Sequence, residues 1–597
     1  MDQRFPTEQP SYLRQDLFHL GILGVFLLVF VVLTWGQWPL LTADAARELY
    51  VPFQIKHGAL IYRDFYYLYG PVAPYAWAGL LFVFGEHLNV LYIASALHLA
   101  AVCALLYAVA RQCLLPRPAV AVVILFFTHF ALGRDLNGYL WPYSFAATFA
   151  VGWGLLLLLA ILRHMLTGHP RWLLLGGLAA GLSCVTKLEF GVAAVSLVAV
   201  YFFAAFCLPL RGARPFLRGS EVWLLVLPAL LVPGFTLLLL LSQMPLSTVL
   251  ESTWPTRLMA LWNSGGVWTG TPATWRANLT WFFLVVGVLA VLSLGPHILS
   301  LALRKPLRGF LGLLLTLGAV TTALGDPNRL GFLLERGHHA WVGSSFLLLA
   351  AVFFACLYRL QRDRGGASPE LAWALVACYG LLVSARTLFH GLNEYSGYQA
   401  PVALIAWVAL AVNWLPAALA PARSRRYVFG AMSVLLFALA SRHLAGIVDL
   451  YQAPRVLVAA PCGRVWSPAS IGKPYLATLG YLRQTLLPGE KFVAAPMEPS
   501  LYLFAGQDNP VKEDQIFFGY LTTPEEQADF IQRLEVARVR FFVLSNYGSQ
   551  HKQFGIDYMP ELGSWLRSRC QRVAEFGGDE YRLTIYQTPF RFERLSP

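Results

Sequence analysis

Charge is scarce in this sequence: Asp, Glu, Lys and Arg make up 13% of 597 residues, where a soluble protein carries about a quarter. That shortage excludes a soluble globular enzyme of this length. Lysine is scarcer still, with seven against 38 arginines, a bias that points to a GC-rich bacterial source. The short signatures of common soluble chemistry are missing too. There is no P-loop, no GxGxxG ahead of a helix, no HExxH and no CxxC pair. Cysteines number eight, and Cys103, Cys113, Cys184, Cys207, Cys356 and Cys378 lie in or beside apolar runs, as small core residues do. Cys462 and Cys570 stand in the C-terminal part, free or paired according to the redox state of their compartment.

What the chain has instead is hydrophobicity, 57% of residues with a mean hydropathy of +0.56. About 20 apolar residues cross a bilayer core roughly 30 Å thick. Runs suited to that task fall near 18–35, 88–110, 119–133, 144–162, 172–186, 191–209, 222–242, 279–302, 308–324, 339–358, 371–388, 400–418 and 427–446. The expectation is a polytopic α-helical membrane protein of about 13 transmembrane helices, ending in an α/β domain. The first run follows Arg4 and Arg14 like a signal peptide, but about 18 apolar residues exceed a usual h-region, so it reads as an uncleaved helix. The 13-residue run 72–84 suits an interfacial or re-entrant segment.

The formal charge of +13 does not mark a nucleic-acid surface, and no nucleic-acid partner is expected. Residues 447–597 hold 16 basic and 16 acidic side chains, and residues 1–446 hold 29 and 16. The excess sits in short loops between apolar runs, where it orients the chain. If 72–84 does not span, the loops on the N-terminal side after it carry 16 Lys and Arg, and the opposite loops seven. The N-terminus is then cytoplasmic, and the tail 447–597 lies outside a bacterial inner membrane. Three outer segments are too long to be turns: 36–87, 243–278 and the tail. Chemistry should face outward. Within the tail, 475–486, 524–537 and 558–568 read as helices, and 491–495, 539–545 and 580–587 as strands.

The first outer loop, TADAARELYVPFQIKHGALIYRDFYYLYGPVAPY, is the richest stretch. Thr42 is placed to cap a helix with Asp44 at its second position, where dipole and free amides favour a carboxylate. Asp44, Arg47 and Glu48 fall on one helical face by their spacing. A second acid, Asp135, lies in the next outer loop, so two carboxylates stand on the same membrane side. Lys187 in TKLEFG joins two apolar runs, and it either binds an anion or pairs with Glu189. Arg329, Arg336, His338 and His339 form another outward cluster, better suited to hydrogen bonding than to a metal. Trp254, Trp262, Trp268 and Trp275 read mainly as interfacial, and Tyr395 in the last outer loop is a candidate sugar contact. GGLAAGL at 176–182 should let helices approach closely.

These features together resemble the GT-C superfamily of membrane glycosyltransferases: an acid just after the first span, a G-x3-Y-x-D-x5-G-P stretch (Gly58, Tyr62, Asp64, Gly70, Pro71) and an acid in the second outer loop. More narrowly, residues 1 to about 446 look like bacterial relatives of protein O-mannosyltransferases and lipid A aminoarabinose transferases. The resemblance implies a polyprenyl-phosphate sugar as donor, a hexose or pentose transferred, and a glycan, lipid or protein as acceptor. No resident cofactor is implied with certainty, and the need for a divalent metal is left open. Asp44 would be the base, Asp135 its assistant, and Lys187, Arg329 and Arg336 the cations for the donor phosphate. Arg47, Glu48, Tyr62, Asp64, His338, His339 and Tyr395 would contact substrate. Many members have two adjacent acids at the first site, whereas Ala45 follows Asp44 here. The other classes weighed are a transporter or flippase, against which the lack of a clear internal repeat counts, and an O-antigen ligase or polymerase.

The orientation is open to a direct check. In a chain whose native cysteines are replaced, a cysteine at Gly578 should react with an impermeant maleimide added to intact cells. One at Arg423 should react only after the membrane is opened, and the reverse pattern would invert the topology.

Overall fold

The computed structural model describes residues 10–134, 138–207, 217–253, 345–360, 369–389, 396–419, 425–516, 520–547 and 559–590, with isolated positions between 276 and 283. Eleven of the 13 apolar runs fall wholly or mainly in these ranges, and their described parts form helices. They are α1 (Pro10–Leu33), α4 (Leu88–Cys113), α5 (Pro116–Phe126), α6 (Phe145–Thr167), α7 (Arg171–Cys184), α8 (Leu188–Cys207) and α9 (Val222–Leu241). Further along come α11 (Ser345–Leu360), α12 (Pro369–Phe389), α13 (Pro401–Ala417) and α14 (Arg425–Gln452). The runs 279–302 and 308–324 lie outside the described residues. Between these stand α2 (Ala43–Lys56), α3 (Val72–Phe84) and α10 (Leu246–Thr253).

Six of the described helices are long and apolar enough to cross a bilayer. Their unpaired faces carry residues such as Leu230, Phe235 and Leu238, each about two-thirds exposed and apolar, as lipid contact requires. Helix α3 rises only about 20 Å over its 13 residues. That is short of the hydrocarbon thickness, and Trp77, Ala78 and Leu81 bury its inner face. The small-residue run in α7 does what its composition suggested. A Cβ on Gly177 would strike the Leu225 carbonyl of α9, and one on Gly181 would reach Pro228. The two backbones meet because no side chains intervene.

The tail folds into two sheets. A hairpin pairs β1 (Arg455–Ala460) with β2 (Gly463–Pro468). A four-stranded sheet runs in the order β3 (Lys491–Ala495), β4 (Val539–Ser545), β6 (Arg582–Gln587), β5 (Gln571–Gly577), with β3 parallel to β4 and the rest antiparallel. Helices α15 (Ala469–Thr485), α16 (Ser500–Ala505), α17 (Pro524–Val536) and α18 (Pro560–Arg569) complete it. The hairpin, β5 and α16 had no expectation in the sequence. The physical reasons are local. Strand β5 is a half-exposed edge with charged Arg572 and Glu575, and α16 has only six residues, too few to show a period. Cys462 and Cys570 are free thiols.

Tail and membrane part are stitched through the backbone. The amide of Ala43 donates to Met497 O at 2.7 Å, Leu88 N to Cys462 O at 2.7 Å, and Trp466 N to Gly36 O at 2.8 Å. Ser500 Oγ donates to the Leu41 carbonyl, and Asn509 N donates to Tyr50 Oη at 2.7 Å. Helix α2 therefore starts against the tail.

The loop after α2 is built by its own motif. Tyr62 is fully buried, and its hydroxyl donates to Tyr69 O at 2.6 Å. Asp64 accepts Leu60 N at 2.7 Å and two bonds from Arg63 at 2.8 Å, closing the turn. Gly70 N donates to Thr186 O at 2.9 Å, and a Cβ there would collide with the Val185 carbonyl. Only glycine lets the loop lie on the corner between α7 and α8. Gly70→Ala should lift it off, costing roughly 1–3 kcal/mol as overpacking does. The check is the unfolding midpoint in detergent, which should fall relative to the unsubstituted chain.

Candidate active site

Helix α2 begins at Thr42, whose backbone is extended, with Asp44 in the first turn. Thr42 occupies the N-cap, but its side chain makes no capping bond, contrary to the expectation from sequence. The start of the helix is held by the tail instead, through Ala43 and Met497. The spacing of Asp44, Arg47 and Glu48 does bring them together. Arg47 Nη1 lies 3.0 Å from Asp44 Oδ1, and Arg47 Nη2 lies 3.4 Å from Glu48 Oε1. Arg47 and Glu48 are each 2% exposed, while a quarter of the Asp44 side chain is open.

A buried guanidinium needs partners on every side. Arg47 Nη2 also donates to Tyr143 O at 3.2 Å, and Nη1 donates to Gln515 Oε1 of the tail at 3.1 Å. The rings of Tyr67 and Tyr69 lie 5.4 and 5.3 Å from its carbon. Glu48 accepts Phe145 N at 3.2 Å and Tyr67 Oη at 3.4 Å. Burial pushes the Glu48 carboxyl up to about 7, against the pull of Arg47 and the Phe145 amide.

Tyr69 is the hinge of the arrangement. Its other neighbour is Lys187, whose ammonium lies 4.2 Å from the Tyr69 ring centre and 5.5 Å from that of Tyr143. Lys187 is 7% exposed and pairs with Glu189 at 3.2 Å. The ion pair weighed from sequence is thus present, and it does not take the ammonium out of the site. Asp44 and Lys187 end up on a continuous line running Asp44, Arg47, Tyr69, Lys187. A carboxylate that can take a proton and a cation that can meet a phosphate stand in one cluster.

The remaining sequence candidates divide. Tyr62 and Asp64 spend their polar atoms on the loop itself. Asp135, Arg329, Arg336, His338, His339 and Tyr395 lie outside the described residues, as do the four tryptophans of 243–278. Tyr67, Tyr69, Tyr143, Asp514 and Gln515 were not singled out from sequence. The tyrosines belong to YYLYG and WPY, aromatic runs that look interfacial. Asp514 and Gln515 sit in an ordinary polar stretch some 470 residues from Arg47, with no local signal. Both are buried beside it. Burial pushes the Asp514 carboxyl up to about 7, against its own amide and Arg47. Among the described residues no group of three or more His, Cys, Asp and Glu is gathered as for a metal.

No family model and no curated protein matches the chain. Solved structures do. The chain is similar to ArnT from Cupriavidus metallidurans bound to undecaprenyl phosphate, at 12% identity and a TM-score of 0.52, over 96% of this chain and 97% of that one. It is also similar to the Archaeoglobus fulgidus oligosaccharyltransferase in complex with Zn and sulfate, at 14% identity and a TM-score of 0.50, over 92% and 71% of the two chains. The same archaeal enzyme tethered with an acceptor peptide through a disulfide gives 14%, 0.50, 93% and 72%. At such identities the likeness is one of fold. The chain shares with these structures a polytopic helical membrane fold that carries a C-terminal domain.

Raised carboxyl pKa values carry a stability consequence. In the tail, burial pushes Glu498 up to about 8, against hydrogen bonds that include one from Tyr581 Oη at 2.8 Å. With Glu48 and Asp514 near 7, the folded chain keeps protons that the unfolded chain has released above about 4.5. Stability is therefore lost as pH rises through that window toward 8. The unfolding midpoint in detergent should be higher near pH 5 than near pH 8. Glu498→Gln should flatten the upper part of that slope, and an unchanged slope would remove Glu498 as its source.

Proposed function

We propose that this chain transfers a single sugar from a polyprenyl-phosphate carrier to an acceptor hydroxyl at the outer face of the membrane. The observation that carries the reading is the line from Asp44 through Arg47 and Tyr69 to Lys187. It puts a partly open carboxylate and a nearly buried ammonium in one cluster where the first outer loop meets the α7–α8 corner. The GT-C fold, shared with a structure bound to undecaprenyl phosphate, supports the same reading.

In this mechanism the acceptor hydroxyl lies against Asp44, which accepts its proton as the oxygen attacks the anomeric carbon. The bond from that carbon to the phosphate oxygen breaks, and the polyprenyl phosphate leaves with the electron pair. One in-line displacement inverts the anomeric centre. Lys187 stabilises the growing charge on the phosphate, with Arg329 and Arg336 as the further cations of the outer loops. Arg47 holds Asp44 in position through the 3.0 Å pair. Asp135 assists on the acceptor side, and His338, His339 and Tyr395 line the substrates.

The test is transfer from synthetic polyprenyl-phosphate sugars by the purified protein, with Asp44→Asn alongside. Transfer by the unsubstituted enzyme with a loss of about 10²-fold or more in the variant is expected, the scale of general-base assistance. Transfer untouched by the substitution would remove Asp44 as the base and shift the role to Asp135. Carrier movement across vesicles without transfer would replace the whole reading by a flippase.

A further inference from the structure

Three residues with buried, unmet polar atoms line one small cavity where the tail meets the first outer loop. Arg47 Nε, Asp514 Oδ2 and Gln515 Nε2 are each shielded from solvent and have no hydrogen-bond partner among the described residues. They belong to side chains that are 2%, 1% and 4% exposed. One cavity of about 10 Å³ is lined by all three residues together with Tyr66, Leu68 and Tyr520. A space of that size takes a single water-sized group.

Leaving one such atom unmet costs about 1–3 kcal/mol, so a cavity lined by all three residues suits a small polar group. The chemistry of the three atoms narrows what it is. Two are N–H donors and the third is a carboxylate oxygen. An anion would be repelled by Asp514 whenever that carboxyl is ionised, and an ammonium by Arg47. A hydroxyl suits all three, because it accepts from nitrogen and donates to oxygen. The position is equally specific. Gln515 Oε1 takes its bond from the same Arg47 Nη1 that pairs with Asp44. The cavity therefore lies one guanidinium away from the acid placed at the reaction.

We infer that Asp514 and Gln515, brought in by the tail, are specificity-determining residues that hold one hydroxyl of a sugar while that sugar is engaged at Asp44. The inference rests on the glycosyltransferase reading and extends it. It makes the tail a part of the substrate site. It also explains why polar groups are kept buried and unmet at this seam, a cost that recognition of a ligand offsets.

The test is read as binding, on purified full-length protein in detergent. Two probe families are titrated: citronellyl-phosphate esters of mannose, glucose, galactose and 4-amino-4-deoxyarabinose for the donor side, and methyl glycosides of the same sugars for the acceptor side. Each is compared with analogues lacking one ring hydroxyl at a time. In the unsubstituted protein one deoxy position should cost about 10- to 100-fold in affinity, as loss of a hydrogen bond to a charged group does. In Asp514→Asn that single penalty should shrink to a few-fold while the penalties at other positions persist. The family that shows it names the sugar's source. Gln515→Glu, which keeps the acceptor for Arg47 but loses the donor, should behave alike. Asp514→Asn should unfold at no lower temperature, whereas a purely structural residue would lower it. A deoxy profile that is the same in the variants and the unsubstituted protein would overturn the inference and leave the cavity to a water. No response of the unsubstituted protein to either family would instead overturn the glycosyltransferase reading, and this inference with it.

Discussion

A buried positive charge organises the junction of α2, its following loop and the tail. The guanidinium of Arg47 is 2% exposed, and a charge withdrawn from water is tolerable only where pairs and hydrogen bonds replace hydration. Its partners come from every part of the surrounding structure. Asp44 and Glu48 come from its own helix, Tyr67 and Tyr69 from the following loop, the Tyr143 carbonyl from the start of α6, and Gln515 from the tail. Removing any one element would strand part of that charge. The position of Asp44, the burial of Glu48 and the docking of the tail all follow from satisfying it.

The loop after α2 shows how a sequence motif can act through shape. Tyr62, Asp64 and Gly70 spend their side chains and backbone on shape: a closed turn, a buried hydroxyl and a contact with the α7–α8 corner too close for any Cβ. What the shape delivers is Tyr69, whose ring centre lies 5.3 Å from the Arg47 guanidinium carbon and 4.2 Å from the Lys187 ammonium. Both cations lie within reach of one aromatic ring, whose electron-rich face offsets some of their repulsion. Glu189 answers the remaining charge on Lys187. The loop residues are positioning groups, and what they position is the cluster of Arg47, Tyr69 and Lys187.

The tail is joined to this cluster by backbone bonds at both ends of the seam, from Gly36 and Ala43 to Leu88. Its own core is well packed around Phe492, Phe541, Val543 and Ile585, all essentially inaccessible. Toward Arg47 the tail presents the buried polar side chains of Asp514 and Gln515. A rigid support with a few unsatisfied polar groups on its face is the arrangement expected where binding is prepared in advance.

By itself the sequence determined the class of molecule and most of its helices, because hydrophobic length and charge bias are local quantities that a bilayer reads residue by residue. The face shared by Asp44, Arg47 and Glu48 was equally legible, since a 3.6-residue period places neighbours without knowledge of the rest. Thr42 marked the helix start correctly but not how that start is held. Only the tertiary structure decided which distant groups complete the site. Gln515 meets Arg47 across 468 positions, and Tyr69, Tyr143 and Asp514 look in sequence like interfacial aromatics and a solvated acid. Their meaning comes from burial beside one guanidinium, and burial of a polar side chain is set by the packing of whole elements, which no local pattern contains.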